Sequence, residues 1–354
     1  MKLQKKNLIT LLLSVALSLT NFVGCNNSNV KAEGDVKNVI LIIGDGMGEN
    51  HMENALTYFD LERPSFFADR TGSLDTHSAN AAITDSAAGA TALSTGTKVD
   101  NGEVARHNGK DLTTISELAL KAGKKVGVVT TDTLNGATPA AFSSHANHRD
   151  DSSDIITGQM KSGIHLLMGD YSSLYGQSST DFIANGYDVI FDPSELSNAM
   201  DSEKLLACFS DIRSEYALYH EYDFQLKEMA AFAVEYLDNE NGYFLMIEGA
   251  YIDKFSHNND LESVMCETRS LFDCVEYLYS VVGDDTAIIV TADHETGSLD
   301  KAESKDDLSD DLFHSKDHTA RHVPLFIHNF TLKAEDVPQN TSVFSMCKQL
   351  LKLK

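Results

Sequence analysis

Short apolar runs recur along this chain, each followed by a polar or glycine-rich stretch. Val39–Ile43, Val126–Thr130, Tyr243–Ile247, Ala287–Thr291 and Val323–Ile327 are of this kind, and Asp188–Phe191 is a weaker one. Runs of that length without polar alternation predict strands buried on both faces. Between them, helical spacing of apolar positions predicts helices over Glu49–Asp60, Ser86–Leu93, Leu112–Ala122, Phe224–Tyr236, Leu261–Val281 and Val343–Leu350. Strands alternating with helices predict an α/β fold, a mainly parallel central sheet with helices on both faces. A chain of 354 residues is long enough for one large domain, expected over residues 36–354. The pattern fades between residues 150 and 222, where further helices, one strand and part of a pocket rim are expected. Lys301 to Asp311 reads as a charged loop.

Residues 1–24 follow a different pattern. Lys2, Lys5 and Lys6 precede an apolar core from Leu8 to Leu19. That core is short for a transmembrane span and has the layout of a secretory signal. Phe22-Val23-Gly24-Cys25 is similar to a bacterial lipobox, with Phe22 where Leu is usual. Cys25 would then carry a lipid anchor, and residues 25–35 would form a flexible tether. The expected location is the outer face of a bacterial membrane. The other four cysteines, Cys208, Cys266, Cys274 and Cys347, show no CxxC pattern. Cys266 and Cys274 lie about two turns apart on one predicted helix, too far to bridge, so buried free thiols are expected.

Charge narrows the partners. The formal net charge is −25, and removing residues 1–24 would take away three lysines and no acid. Nucleic-acid binding is not expected, because a phosphate backbone needs Lys and Arg to displace its counterions. Most of the acidity reads as a solvated, self-repelling surface.

The residues just after the apolar runs carry the chemistry. Gly44-Asp45-Gly46-Met47-Gly48 follows the first run, and Asp293-His294 comes just after Ala287–Thr291. Glu248-Gly249-Ala250-Tyr251-Ile252-Asp253-Lys254-Phe255-Ser256-His257 follows Tyr243–Ile247. Asp253 and His257, at i and i+4, would share one face of a helical turn. Asp85-Ser86-Ala87-Ala88-Gly89-Ala90-Thr91 puts a serine at the head of a small-residue helix, where its oxygen would feel the positive end of the dipole. In open α/β sheets, sites form at the carboxyl ends of strands. Carboxylates and imidazoles gathered there suit zinc, which takes mixed O and N donors, or a hard divalent ion taking oxygen. A dinucleotide phosphate loop at Asp45 fits poorly. The G-x-G-x-x-G spacing is missing, and an Asp would repel a pyrophosphate.

Taken in order, these motifs resemble the alkaline phosphatases from about Val39 to about Phe326. Ala137-Thr138-Pro139-Ala140 with Arg149 downstream, and His318-Thr319 before Val323-Pro324-Leu325-Phe326, complete the series. The resemblance implies hydrolysis of phosphomonoesters through a covalent phosphoserine at Ser86. It implies two zinc ions, one on Asp253, His257 and His318, the other on Asp45, Asp293 and His294 with Ser86. It implies one magnesium ion on Asp45, Thr138 and Glu248. Arg149 would grip two non-bridging phosphate oxygens with its guanidinium fork, and Lys254 would be a second cation near the phosphate. His314 and His322 stand four residues to either side of His318; the His-Thr match selects His318. One departure concerns magnesium. Gly136 stands where one bacterial branch has Asp, so that pocket lacks a carboxylate side chain. A homodimer is compatible with the resemblance. The rival readings are a phosphodiesterase or other metal-dependent hydrolase of the superfamily, and a non-catalytic surface lipoprotein that binds phosphate or metal.

Overall fold

The structure is a computed structural model, and it describes residues 30–32, 36–210, 212, 224–332 and 339–354. Nine strands form its central sheet: β1 Asn38–Gly44, β2 Arg70–Leu74, β3 Lys125–Thr133, β4 Leu166–Asp170, β5 Asp188–Ile190, β6 Leu205–Phe209, β7 Tyr243–Gly249, β8 Thr286–Thr291 and β9 Val323–His328. Their order is β2-β9-β8-β1-β7-β3-β4-β6-β5. Every neighbouring pair is parallel except those made by β9, which runs against β8 and β2. β1, β7 and β8 are buried at every position. Their unbroken apolar runs are therefore explained by helices on both sides.

The helices are α1 Glu49–Phe59, α2 Ser86–Thr95, α3 Ile115–Lys121, α4 Ala137–Ser143, α5 Ser152–Lys161, α6 Ser173–Ala184, α7 Leu226–Leu237, α8 Tyr251–Ser256, α9 Leu261–Val281 and α10 Thr341–Leu350. One layer packs α2 against α4 and α10; the other packs α9 against α1, α7 and α8.

Several boundaries differ from the sequence pattern. The helix expected from Leu112 starts at Ile115, because Thr114 caps it and Glu117 closes the capping box on the Thr114 N–H. The weak region between 150 and 222 holds three strands of the sheet where one was expected. β4 (LLMGD) and β6 (LLACF) are too short to show a period. Edge strand β2 (RTGSL) has no apolar run at all. Val30–Ala32, within the expected tether, pairs antiparallel with Phe330–Leu332. Backbone pairing of this kind asks nothing of side-chain polarity. Residues 1–29, with Cys25, lie outside the described residues. Cys208, Cys274 and Cys347 are buried free thiols, as expected, and Cys266 is buried as well. Among the described residues no helix is long and apolar enough to cross a membrane.

Candidate active site

Parallel strands put their carboxyl ends on one edge of the sheet, and register places the polar residues there side by side. Glu248 on β7 is level with Ile43 on β1 and Thr130 on β3, and Thr291 on β8 is level with Ile43. Asp45 follows β1, and Asp293 and His294 follow β8 by two and three residues. Gly46 makes the turn after Asp45. Its φ of +74° suits glycine, and a Cβ there would lie 2.8 Å from the Cα of Asp253. That close approach brings α8, with Asp253 in its first turn, against the end of β1. After Asp293-His294 the chain makes a two-residue ribbon, Glu295–Thr296 against His318–Thr319, with Thr296 opposite His318. The charged loop from Lys301 to Asp311 thus leaves and returns, and the ribbon delivers His318 to the site.

Ser86 is the first residue of α2, a helix whose ten residues are all buried. Asp85 caps it: Ala88 N–H donates to Asp85 Oδ1 at 2.9 Å, and Gly102 N–H to Oδ2 at 3.0 Å. Arg149 Nη1 reaches the same Oδ2 at 3.3 Å. The neighbouring acids, which could have held Arg149 at the surface, are engaged elsewhere: Asp150 pairs with His148, and Asp151 accepts the His148 N–H. Ser86 Oγ is 3.2 Å from His294 Nε2.

Two groups of donor atoms lie within 4.8 Å of one another: Asp45, Asp293 and His294, and Asp253, His294 and His318. His294 belongs to both, and its ring stacks on His318 with centroids 3.5 Å apart. His257 joins the second group. Its Nε2 is 3.1 Å from His318 Nε2 and 3.3 Å from Asp253 Oδ2. The two expected sets are thus adjacent, and His294, expected in the second, also lies beside Asp253 and His318 of the first. His314 pairs with Asp300 at 2.7 Å on the surface, and His322 is exposed, so of the three histidines considered His318 is the one at the strand ends.

Partners behind the rings fix their tautomers. His257 Nδ1 donates to the Lys316 carbonyl, and His318 Nδ1 donates to the Thr84 carbonyl at 3.0 Å. Thr296 gives its hydroxyl hydrogen to Asp253 and accepts from His294 Nδ1 at 3.2 Å. When neutral, all three rings therefore turn Nε2 lone pairs toward the carboxylates. Two such lone pairs 3.1 Å apart repel unless a proton or a cation sits between them.

The electrostatics point the same way. Burial, then the charges of Asp293, Asp253 and Glu248, push Asp45 well up from the carboxylate range. Asp293 rises for the same reasons, and burial with the Asp132 charge lifts Glu248 to about 7. Burial and the His318 charge drive His294 well down. For Asp253, burial works upward, but the imidazoles of His257, His294 and His318 outweigh it and hold the acid low. A hydrogen bond to Asp253 lifts His257 to about 9. Asp45 Oδ1, Asp293 Oδ2 and Thr138 Oγ1 are buried without a hydrogen-bond partner. Buried orphan oxygens beside mutually repelling carboxylates and inward lone pairs are the donor chemistry of divalent cations. The residues present fit zinc where imidazole and carboxylate mix. They fit magnesium where Asp45, Glu248 and the Thr138 hydroxyl offer oxygen.

Two expectations change. Gly136 caps α4 and leaves room, but the room is taken: a Cβ there would lie 2.5 Å from Asp132 Oδ2. A carboxylate is therefore present, supplied from β3. Lys254, expected as a second cation near the phosphate, is engaged in an ion pair with Asp132 and lies over the Tyr251 ring. The sequence reading passed over Asp132, Thr130 and Thr296. Asp132 did carry a signal, since it follows the Val126–Thr130 run by two residues, as Asp293 follows its own run. Thr130 and Thr296 carried none, because hydroxyls that orient other side chains have no spacing rule.

The chain is similar to known proteins in sequence and in fold. The family model described as alkaline phosphatase matches residues 36–172 and 176–343. Alkaline phosphatase 4 of Bacillus subtilis (strain 168) is 32% identical over 291 residues, 75% of this chain and 63% of that protein. The alkaline phosphatase of Schizosaccharomyces pombe is 34% identical over 302 residues, 74% of this chain and 56% of that one. The chain thus spans about three fifths of the length of these curated relatives. The structure of alkaline phosphatase from the Antarctic bacterium TAB5 superposes with a TM-score of 0.79 at 25% identity, covering 92% of this chain and 100% of that one. Thermus thermophilus alkaline phosphatase shares the fold, with a TM-score of 0.80 at 21% identity and 94% of each chain covered.

Proposed function

The chain belongs to the alkaline phosphatase family, and from that premise we propose that it hydrolyses phosphate monoesters through a covalent phosphoserine at Ser86. One observation carries the reading: Ser86 Oγ stands at a helix N-terminus 3.2 Å from His294, the residue common to both donor sets. In this reading Asp253, His257 and His318 would hold one zinc ion, Asp45, Asp293 and His294 with Ser86 a second, and Asp45, Thr138 and Glu248 a magnesium ion. Bound there, the ions would supply Lewis acidity and charge neutralisation for the entering and leaving oxygens.

The protein's own residues supply the rest. Ser86 Oγ attacks phosphorus, the ester P–O bond breaks, and the serine proton ends on the leaving alcohol. Water then attacks the phosphoserine, restores Ser86 and releases phosphate. Arg149, braced by Asp85, would bind two non-bridging oxygens, which only a monoester leaves free together with a third. Placing Ser86 at the first position of α2 sets its developing negative charge against the helix N-terminus.

The signal-like layout of residues 1–24 and the lipobox-like stretch before Cys25 support a second part of the proposal, that the protein is lipid-anchored outside the cell. The direct test of the chemistry is turnover of p-nitrophenyl phosphate and of bis-p-nitrophenyl phosphate by zinc- and magnesium-loaded protein. The monoester should react faster by orders of magnitude. A faster diester would make the protein a phosphodiesterase, and no turnover of either would leave only a binding role.

A further inference from the structure

The oxygen pocket around Glu248 looks one carboxylate short when only Gly136 is considered, and Asp132 changes that. Thr130 Oγ1 donates to Glu248 Oε2 and accepts the Asp132 N–H at 2.8 Å. One hydroxyl therefore ties the Asp132 backbone to the buried glutamate. The Asp132 carboxylate is fixed from two further sides. Thr133 N–H donates to its Oδ1 at 2.7 Å, and Lys254 forms an ion pair with that same oxygen. Its Oδ2 occupies the room a side chain at Gly136 would need, 2.5 Å from where a Cβ would sit. A plain ion pair between half-exposed side chains would be worth little. This pair differs in that backbone N–H groups fix it and the Thr130 hydroxyl ties it to the buried Glu248.

Resting on the reading of the magnesium pocket given above, we propose that Asp132 is a positioning residue of that pocket. It supplies from the end of β3 the outer carboxylate that Gly136 lacks, with Lys254 as its fixed counter-charge. Outer partners of this kind orient the groups that touch an ion, and losing one commonly costs about 10–100-fold in metal affinity or activity. The geometry adds a sharper consequence. A carboxylate at position 136 and the Asp132 carboxylate compete for one space, so only one of the two positions can serve.

Magnesium chloride titrated calorimetrically into zinc-loaded, magnesium-free protein tests this on binding alone. Asp132→Asn keeps the shape and loses the charge; it should weaken magnesium about 10–100-fold while zinc content and melting temperature stay near wild type. Gly136→Asp alone should not tighten magnesium, because the two carboxylates collide. Asp132→Ala with Gly136→Asp should bind magnesium more tightly than Asp132→Ala alone. Wild-type affinity in Asp132→Asn, tighter binding in Gly136→Asp alone, or a double variant no better than Asp132→Ala would each overturn the assignment. The readout separates this inference from the proposed function. Wild-type protein that binds magnesium but turns over no monoester sinks the function and leaves the Asp132 result readable. Wild-type protein that binds no magnesium sinks both.

Discussion

His294 is the residue on which the geometry turns. It is fully buried, shared by both donor sets, and oriented by Thr296, which also holds Asp253. A single threonine thus sets one ligand candidate from each set. Asp45, Glu248, Asp293 and His294 were legible because each stands just after an apolar run, and Ser86 because it heads a small-residue helix. Thr296 and Thr130 were not legible, since their work is to accept and donate hydrogen bonds behind the ligands. Asp132 stands two residues after an apolar run, but the motif shared with the family bears on position 136 and not on position 132. The choice among the three clustered histidines gives a residue-scale prediction. His318→Ala should lower zinc content by one ion per chain, whereas His314→Ala should leave it unchanged, since His314 faces Asp300 at the surface. Elemental analysis of the two purified variants decides it, and loss of zinc from the His314 variant alone would move the ligand four residues upstream.

At the scale of elements, helix α2 would link stability to the proposed grip of Arg149 on phosphate. Asp85 caps it with one carboxylate oxygen and braces Arg149 with the other. Asp85→Ala should therefore cost about 1 kcal/mol of stability through the lost cap. It should also raise KM for a monoester, because Arg149 loses its brace. Asp85→Asn keeps a capping oxygen and should recover most of the stability. Thermal melts with Michaelis kinetics check this, and an unchanged KM in the Ala variant would show that Arg149 is held by something else. Element existence was readable for long or strongly apolar segments: β1, β3, β7, β8, β9 and the 21-residue α9 stand where expected. The weak segments failed for definite reasons. β4 and β6 are five residues each with no period to read, and β2 is a polar edge strand. Helix α8 has six residues, yet the i, i+4 pairing of Asp253 with His257 anticipated its turn.

At the scale of the whole molecule, a chain of net charge −25 gathers Asp45, Glu248, Asp253 and Asp293, all buried, at one edge of its sheet. Such a cluster must take up protons or compensating cations, and the phosphate monoester proposed as substrate would approach it only once that charge is offset. The export proposal belongs to this scale as well. Cys25→Ser should shift the mature protein from the membrane fraction to the soluble fraction, since stable attachment needs more than one acyl chain and would be lost with the cysteine. Wild-type protein already soluble after processing would contradict the anchor. The central claim, that Ser86 takes the phosphoryl group, has one direct test. The metal-loaded protein is mixed with excess phosphomonoester, quenched in acid during turnover, digested and mapped by mass spectrometry. The account predicts one phosphoryl group on the peptide carrying Ser86, absent from Ser86→Ala, whose turnover should fall by orders of magnitude. Sustained turnover with no phosphopeptide, or a phosphoryl group on another residue, would contradict it.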